Sequence, residues 1–223
     1  MAIPKQVFQI CIGFNSTKNY ILMNKIESFM QINPNCEFNL ITCFEQLDEF
    51  IRSQCSVEAQ QAYAQIKESL SKLEFCKYLI LYEHGGVYMD ASVDFIKLEL
   101  DPILLAEDRG IIIRSPEENI YSNTFMAFSP NHPILERTIG LMIKYIKNGT
   151  FSECLDYIIG HEDAKNVSGI SAFSKAVKIE HFNTYNENLF WESVKSDEVL
   201  KFISRACAYR LFGSWSKFIE SGK

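Results

Sequence analysis

At Gly85-Gly86 the hydrophobic pattern of this chain changes period, and few arrangements of secondary structure can accommodate the change. Upstream, Ser56 is a good N-cap, and Ala59, Ala62, Tyr63, Ile66, Leu70 and Leu73 recur at three- and four-residue steps. The stripe continues through Cys76, Leu79 and Ile80, which predicts one long helix ending at the glycines. Downstream the period is two. Val87, Met89, Ala91 and Val93 face one way, and Tyr88, Asp90, Ser92 and Asp94 the other. A helix therefore delivers the chain through a tight turn into a strand whose polar face carries two carboxylates.

The flanking sequence predicts an α/β fold. Val7 to Ile12 reads as a buried strand stopped by Gly13. Lys18 to Ile32 has helical spacing and ends at Asn33-Pro34-Asn35, and Glu37 to Thr42 reads as a second strand. Strand, helix and strand in this order open a βαβ unit with parallel pairing. Gly110 to Arg114 and Asn123 to Ser129 read as strands, and Pro133 to Lys147 as an amphipathic helix stopped by Asn148-Gly149. Two shorter helices are expected around Ser171 to Val177 and Asp197 to Ala208. With no repeat, linker or low-complexity tract, residues 1–223 are expected to form a single domain.

Charge and cysteine usage narrow the function classes. The formal net charge of -6, without a basic stripe, excludes a nucleic-acid groove as the expected partner. The 7 cysteines are dispersed, with no zinc spacing, and read as reduced, mostly buried thiols. No apolar run approaches the ~18 residues of a membrane helix. These features predict a cytoplasmic protein and leave room for peripheral association with the inner face of a membrane.

The turn and strand suggest chemistry. Gly85 and Gly86 lack a Cβ and would let a ligand approach the backbone closely. Asp90 and Asp94, with the Ser92 hydroxyl between them, form a hard oxygen set suited to Mg²⁺ or Mn²⁺, which take substrate phosphates as further ligands. Spacing alone is equally compatible with a solvated strand face. Gly13 ends the first strand beside Phe14, so Gln9 to Phe14 are expected to line a base pocket.

Residues 72–93, Lys-Leu-Glu-Phe-Cys-Lys-Tyr-Leu-Ile-Leu-Tyr-Glu-His-Gly-Gly-Val-Tyr-Met-Asp-Ala-Ser-Val, resemble the signature of glycosyltransferases with a DXD-containing sugar-binding region. That group includes Golgi mannosyltransferases and bacterial capsular polysaccharide synthesis proteins. Its pattern runs Ser-Asp-x-x-Arg-Tyr-x-x-Leu-Tyr-x-Tyr-Gly-Gly-x-Tyr-x-Asp-x-Asp. The opening Ile3-Pro4-Lys5-Gln6-Val7-Phe8-Gln9 is similar to the group's first strand, and Asn123 to Pro133, Val167-Ser168-Gly169 and Gly213-Ser214-Trp215 follow in family order.

The resemblance implies a GT-A fold, a Rossmann-like, mainly parallel sheet flanked by helices. It also implies transfer of a hexose, with retention, from a nucleoside-diphosphate sugar (a UDP-sugar is favoured) to a glycan or lipid-linked glycan. It places Asp90, Asn123 and Trp215 at the chemistry and gives donor-sugar hydroxyls to Glu74 and Lys77. Tyr88 either stacks on the donor or fills a wall, and Ser214 and Trp215 close over the diphosphate. Asp90, Ser92 and Asp94 are the metal positions.

Three departures bear on function, one of them the absence of the His that often precedes the group's terminal Ser-Trp, with Tyr209-Arg210 near its place. Glu74-x-x-Lys77 replaces Asp-x-x-Arg, exchanging a guanidinium fork for a point charge. Ser92 replaces the second aspartate, as in the Asp-Ala-Ser and Asp-Ala-Thr of capsular synthesis proteins. The pattern therefore allows transfer with an ion, transfer without one in which Lys77 or Arg210 carries the diphosphate charge, or a catalytically silent scaffold that binds a glycan or partner protein.

Overall fold

The structure is a computed structural model describing residues 2–13, 16–91, 93–94, 99–101, 104, 110–114, 121–151 and 209–210. In chain order these form β1 (Gln6–Ile10), α1 (Ser16–Ile32), β2 (Glu37–Ile41), α2 (Phe44–Gln54), α3 (Val57–Gln65), α4 (Ser69–His84) and β3 (Gly86–Met89). There follow β4 (Val93–Asp94), β5 (Gly110–Arg114), β6 (Tyr121–Phe128), α5 (Pro133–Lys147) and β7 (Tyr209–Arg210). The expected helices near 171–177 and 197–208 lie outside the described residues.

The main sheet has the order β2-β1-β3-β6-β5. β1 pairs in parallel with β2 and β3, whereas β6 is antiparallel to both β3 and β5. Four of its strands thus share one direction, giving the mainly parallel α/β architecture expected from the sequence. Residue parity sends side chains to two apolar layers. Phe8, Ile10, Tyr88, Met126 and Phe128 pack with α2 to α5 on one face. Val7, Val87, Met89, Phe125 and Ala127 pack with Phe29 of α1 on the other.

Three local expectations are corrected. The long helix is two helices: Ile66 is extended and buried, and its N–H bonds back to the Tyr63 carbonyl. An unbroken helix from Val57 to His84 would run roughly 40 Å at ~1.5 Å per residue. The break lets α3 and α4 each pack on α5. The strand read through Asp94 leaves the sheet after Met89, and β4 pairs instead with β7. Of its supposed polar face, Tyr88 and Asp90 are both buried rather than solvated.

Helix α2 was not expected. It buries Leu47 and Ile51 four residues apart, and Gln46 caps its start by accepting from the Thr42 and Cys43 N–H groups.

Gly85 and Gly86 hold this arrangement together by close packing. Both have positive φ, 67° and 95°. A Cβ on Gly86 would stand 2.5 Å from the Gln6 carbonyl oxygen of β1, and one on Gly85 2.6 Å from Pro130 Cδ. The sequence reading gave this missing bulk to a ligand; here the chain itself fills the space.

Gly86→Ala should therefore destabilise the protein by at least about 2 kcal/mol in urea unfolding. Gly140→Ala, in α5 where a Cβ meets nothing within 4 Å, should instead stabilise it by about 0.5–1 kcal/mol. Equal effects at the two positions would contradict this packing.

Candidate active site

The strand order creates a crevice. From β1 the chain passes through α1 to β2 on one side, then returns through α2, α3 and α4 to β3 on the other. Parallel neighbours whose connections diverge leave an opening outside their carboxyl ends, where open α/β sheets bind ligands. At those ends lie Gln9 within β1, Cys11 and Gly13 after it, and Asp90 after β3. Gly13 is exposed, with open space where a Cβ would stand. Phe14 lies outside the described residues.

The α4–β3 turn brings the other candidates to the same edge. Helix residues 77 to 74 lie roughly 12–16 Å back from the turn at ~1.5 Å per residue. Asp90 lies roughly 13 Å forward of it at ~3.3 Å per residue. Glu74, Lys77 and Asp90 thus come level. The strand start of β6, antiparallel to β3, adds Asn123.

The β5–β6 register slips beside Ile112/Ile113, so Asn123, Thr124 and Phe125 have no partner on β5. Such irregularities re-aim side chains. Here the Asn123 amide donates to Glu74 Oε2 at 2.9 Å and to the Tyr78 hydroxyl at 3.0 Å.

Glu74 and Lys77 form an ion pair through Glu74 Oε1. The pair is largely buried, with Lys77 1% and Glu74 19% exposed in their side chains. The ammonium also lies 5.5 Å from the Tyr88 ring centroid and 5.6 Å from that of Tyr78. Burial raises the Glu74 carboxyl above its ordinary range and nearby Asp90 adds to this, while Lys77 and Asn123 oppose it.

Tyr88 is buried in the core, and burial followed by the Asp90 and Glu74 charges holds its phenol well above the usual value. The protonated ring forms a wall beside Lys77. Burial, then Asp90, likewise raises the Cys11 thiol, tying Asp90 electrostatically to β1.

Gln9 is also buried there, and its Oε1 has no hydrogen-bond partner among the described residues. That orphaned acceptor was not legible in the sequence. Gly85 and Gly86 stand at the opposite end of β3, away from this cluster.

Of the metal positions, Asp90 is buried, Asp94 is described only as part of β4, and Ser92 lies outside the described residues, as do Ser214 and Trp215. Among the described residues no three His, Cys, Asp or Glu side chains converge. An ion here would rest on Asp90 and take its remaining oxygens from water and a diphosphate, a donor set that fits Mg²⁺ or Mn²⁺. The β4–β7 ladder sets the backbone of Arg210 opposite Val93. His84 stacks on Phe8, and His132 caps α5 through Nδ1, so both are structural.

Removing one member of a buried pair leaves an uncompensated charge. Glu74→Ala should cost about 3 kcal/mol in denaturant unfolding, and Glu74→Leu combined with Lys77→Met should recover most of that loss. A cost near zero for Glu74→Ala would mean that water reaches Lys77 freely.

Residues 21–108 match the family described as the glycosyltransferase sugar-binding region containing the DXD motif. Inositol phosphoceramide mannosyltransferase 1 of Schizosaccharomyces pombe is 36% identical over 77 residues, 34% of this chain and 23% of its own length. Inositol phosphoceramide mannosyltransferase 3 of the same yeast is 27% identical over 150 residues, 67% of this chain and 40% of its own. The chain thus aligns with less than half of either relative. The solved structure of PaToxG glycosyltransferase superposes with a TM-score of 0.54 at 18% identity, covering 92% of this chain and 78% of that one. The fold is thus of the GT-A kind, and residues 21–108, which include β2, α4 and β3, are similar to the DXD-containing sugar-binding region of glycosyltransferases.

Proposed function

We propose that the chain moves a hexose from a nucleoside-diphosphate sugar to a hydroxyl of a glycan or lipid-linked glycan acceptor. The buried Glu74–Lys77–Asn123 cluster, level with Asp90 at the crevice between β1 and β3, carries this reading. A buried ion pair with one partly open carboxylate is costly to keep on a surface that binds nothing. The two yeast relatives are named mannosyltransferases, which supports a hexose as the transferred group.

In this reading Gln9 to Phe14 hold the base, and Asp90 holds the ribose, the sugar or an ion beside the diphosphate. Glu74 and Asn123 hold sugar hydroxyls, and Ser214 and Trp215 cover the diphosphate. A divalent ion would neutralise charge on the departing nucleoside diphosphate. A UDP-sugar donor, retention of configuration, a role in surface or capsular polysaccharide synthesis, and a cytoplasmic place at the inner membrane face belong to the same proposal. Ser92 in the second aspartate's place favours one other reading, a silent scaffold.

Calorimetry separates these. Mn²⁺ alone should bind weakly, because Ser92 replaces a carboxylate between Asp90 and Asp94, and UDP or GDP should bind more tightly when Mn²⁺ is present. Tight binding of Mn²⁺ to the protein alone would reveal a further carboxylate ligand. Nucleotide binding indifferent to Mn²⁺ would move the diphosphate charge to Arg210. Absence of nucleotide binding, with no transfer from UDP- or GDP-hexoses, would leave the scaffold.

A further inference from the structure

The end of α5 carries the one Asn-Gly step in the sequence, Asn148-Gly149; every other asparagine is followed by a residue with a side chain. Both residues of the step are exposed, and Gly149 has open space where a Cβ would stand. The Asn148 side-chain amide, an electrophile, thus lies next to a backbone nitrogen with no bulk to shield one from the other.

The folded cap holds the two apart. Asn148 closes α5 at φ -86° and ψ -2°. Gly149 follows at φ 68°, its N–H donating to the Ile146 carbonyl at 2.9 Å, and the Thr150 N–H donates to the Tyr145 carbonyl at 2.9 Å. Closing a five-membered ring requires the Asn148 Cβ and the Gly149 nitrogen to eclipse across the Cα–C bond, which this ψ does not allow. The Gly149 N–H must also leave Ile146. Both changes need only the last turn to open, and helix ends open at low cost.

We propose that Asn148 is a site of spontaneous deamidation, restrained by the last turn of α5. The Gly149 nitrogen attacks Asn148 Cγ, so that a C–N bond forms and the Cγ–Nδ2 bond breaks. The Gly149 proton passes through water to the leaving nitrogen, which departs as ammonia. Water then opens the succinimide at either carbonyl, giving aspartate or isoaspartate, and no other reactant is needed.

Either product puts a carboxylate at a helix C-terminus, the unfavourable end for negative charge. Beside it Lys147 bonds Glu58 of α3 at 2.5 Å, so the new charge competes for the cation that ties α5 to α3. Isoaspartate also adds a methylene to the main chain, which throws the cap out of register just before Phe151, a residue packed on the core.

Peptide mapping of the full chain over time at mildly alkaline pH, native and in denaturing urea, tests the site. In both arms Asn148 should convert before any other asparagine and yield isoaspartate as well as aspartate. The native chain should convert at least about tenfold more slowly, since only its opened fraction reacts. Earlier conversion elsewhere, or none at Asn148 in urea, would overturn the site. Aspartate without isoaspartate would overturn the ring, and equal rates in the two arms would overturn the restraint.

The consequence is read by comparing the purified isoaspartate form with Asn148→Asp, which carries the same charge on an unextended chain. Both should unfold at lower urea than the wild type, the isoaspartate form lowest. Coincidence of these two would overturn the effect of the added methylene, and coincidence of all three the effect of charge as well.

Discussion

Helix α4 runs into the central strand β3 with one residue, Gly85, between them. A junction that short forces the helix to lie back along the strand, and two contacts make it feasible. Gly86 sits against the Gln6 carbonyl, so β3 can pair with β1, and Gly85 sits against Pro130, so the β6–α5 connection can pass beside it. The Gln6 side chain adds a bond to the His84 carbonyl at 2.8 Å, closing the same corner. Once the helix is laid back, its second and third turns arrive beside Asp90 at the far end of the strand. The site is thus set by a packing constraint at the opposite edge of the sheet.

That constraint also explains what could be read in the sequence. The period change at Gly85-Gly86 exposes the helix–strand junction directly, and β5 and α5 have the same bounds in sequence and structure because turn residues flank them. The α3–α4 break was hidden because Ile66 keeps to the apolar stripe while leaving the helix; only its backbone departs. Helix α2 was hidden because its buried face has just two residues, Leu47 and Ile51.

Within the site, spacing put Glu74 and Lys77 on one helix face but could not say which way that face points. Their burial depends on Tyr88 from β3 and Asn123 from β6, contacts that are distant in sequence. The aim of Asn123 depends further on a register slip that no local pattern encodes. The orphaned Gln9 acceptor belongs to the same class: β1 reads as a plain buried strand, and only the sheet order reveals that its end faces a crevice.

Burying an ion pair gives up hydration that the pair's own attraction repays only when the geometry is good. Here one carboxylate oxygen meets the ammonium, the other meets an amide, and two tyrosine rings enclose the cation. A side chain locked this way loses little entropy when a ligand arrives, which is the use of preorganisation in a binding site.

The central claim is that the crevice between the carboxyl ends of β1 and β3 is the donor site. A crystal structure of the protein with UDP or GDP bound tests it most directly. The account predicts the base against Gln9 to Gly13 and the phosphates beside Asp90, with the Glu74–Lys77 pair intact. A nucleotide bound on any other surface, with this crevice empty, would contradict it.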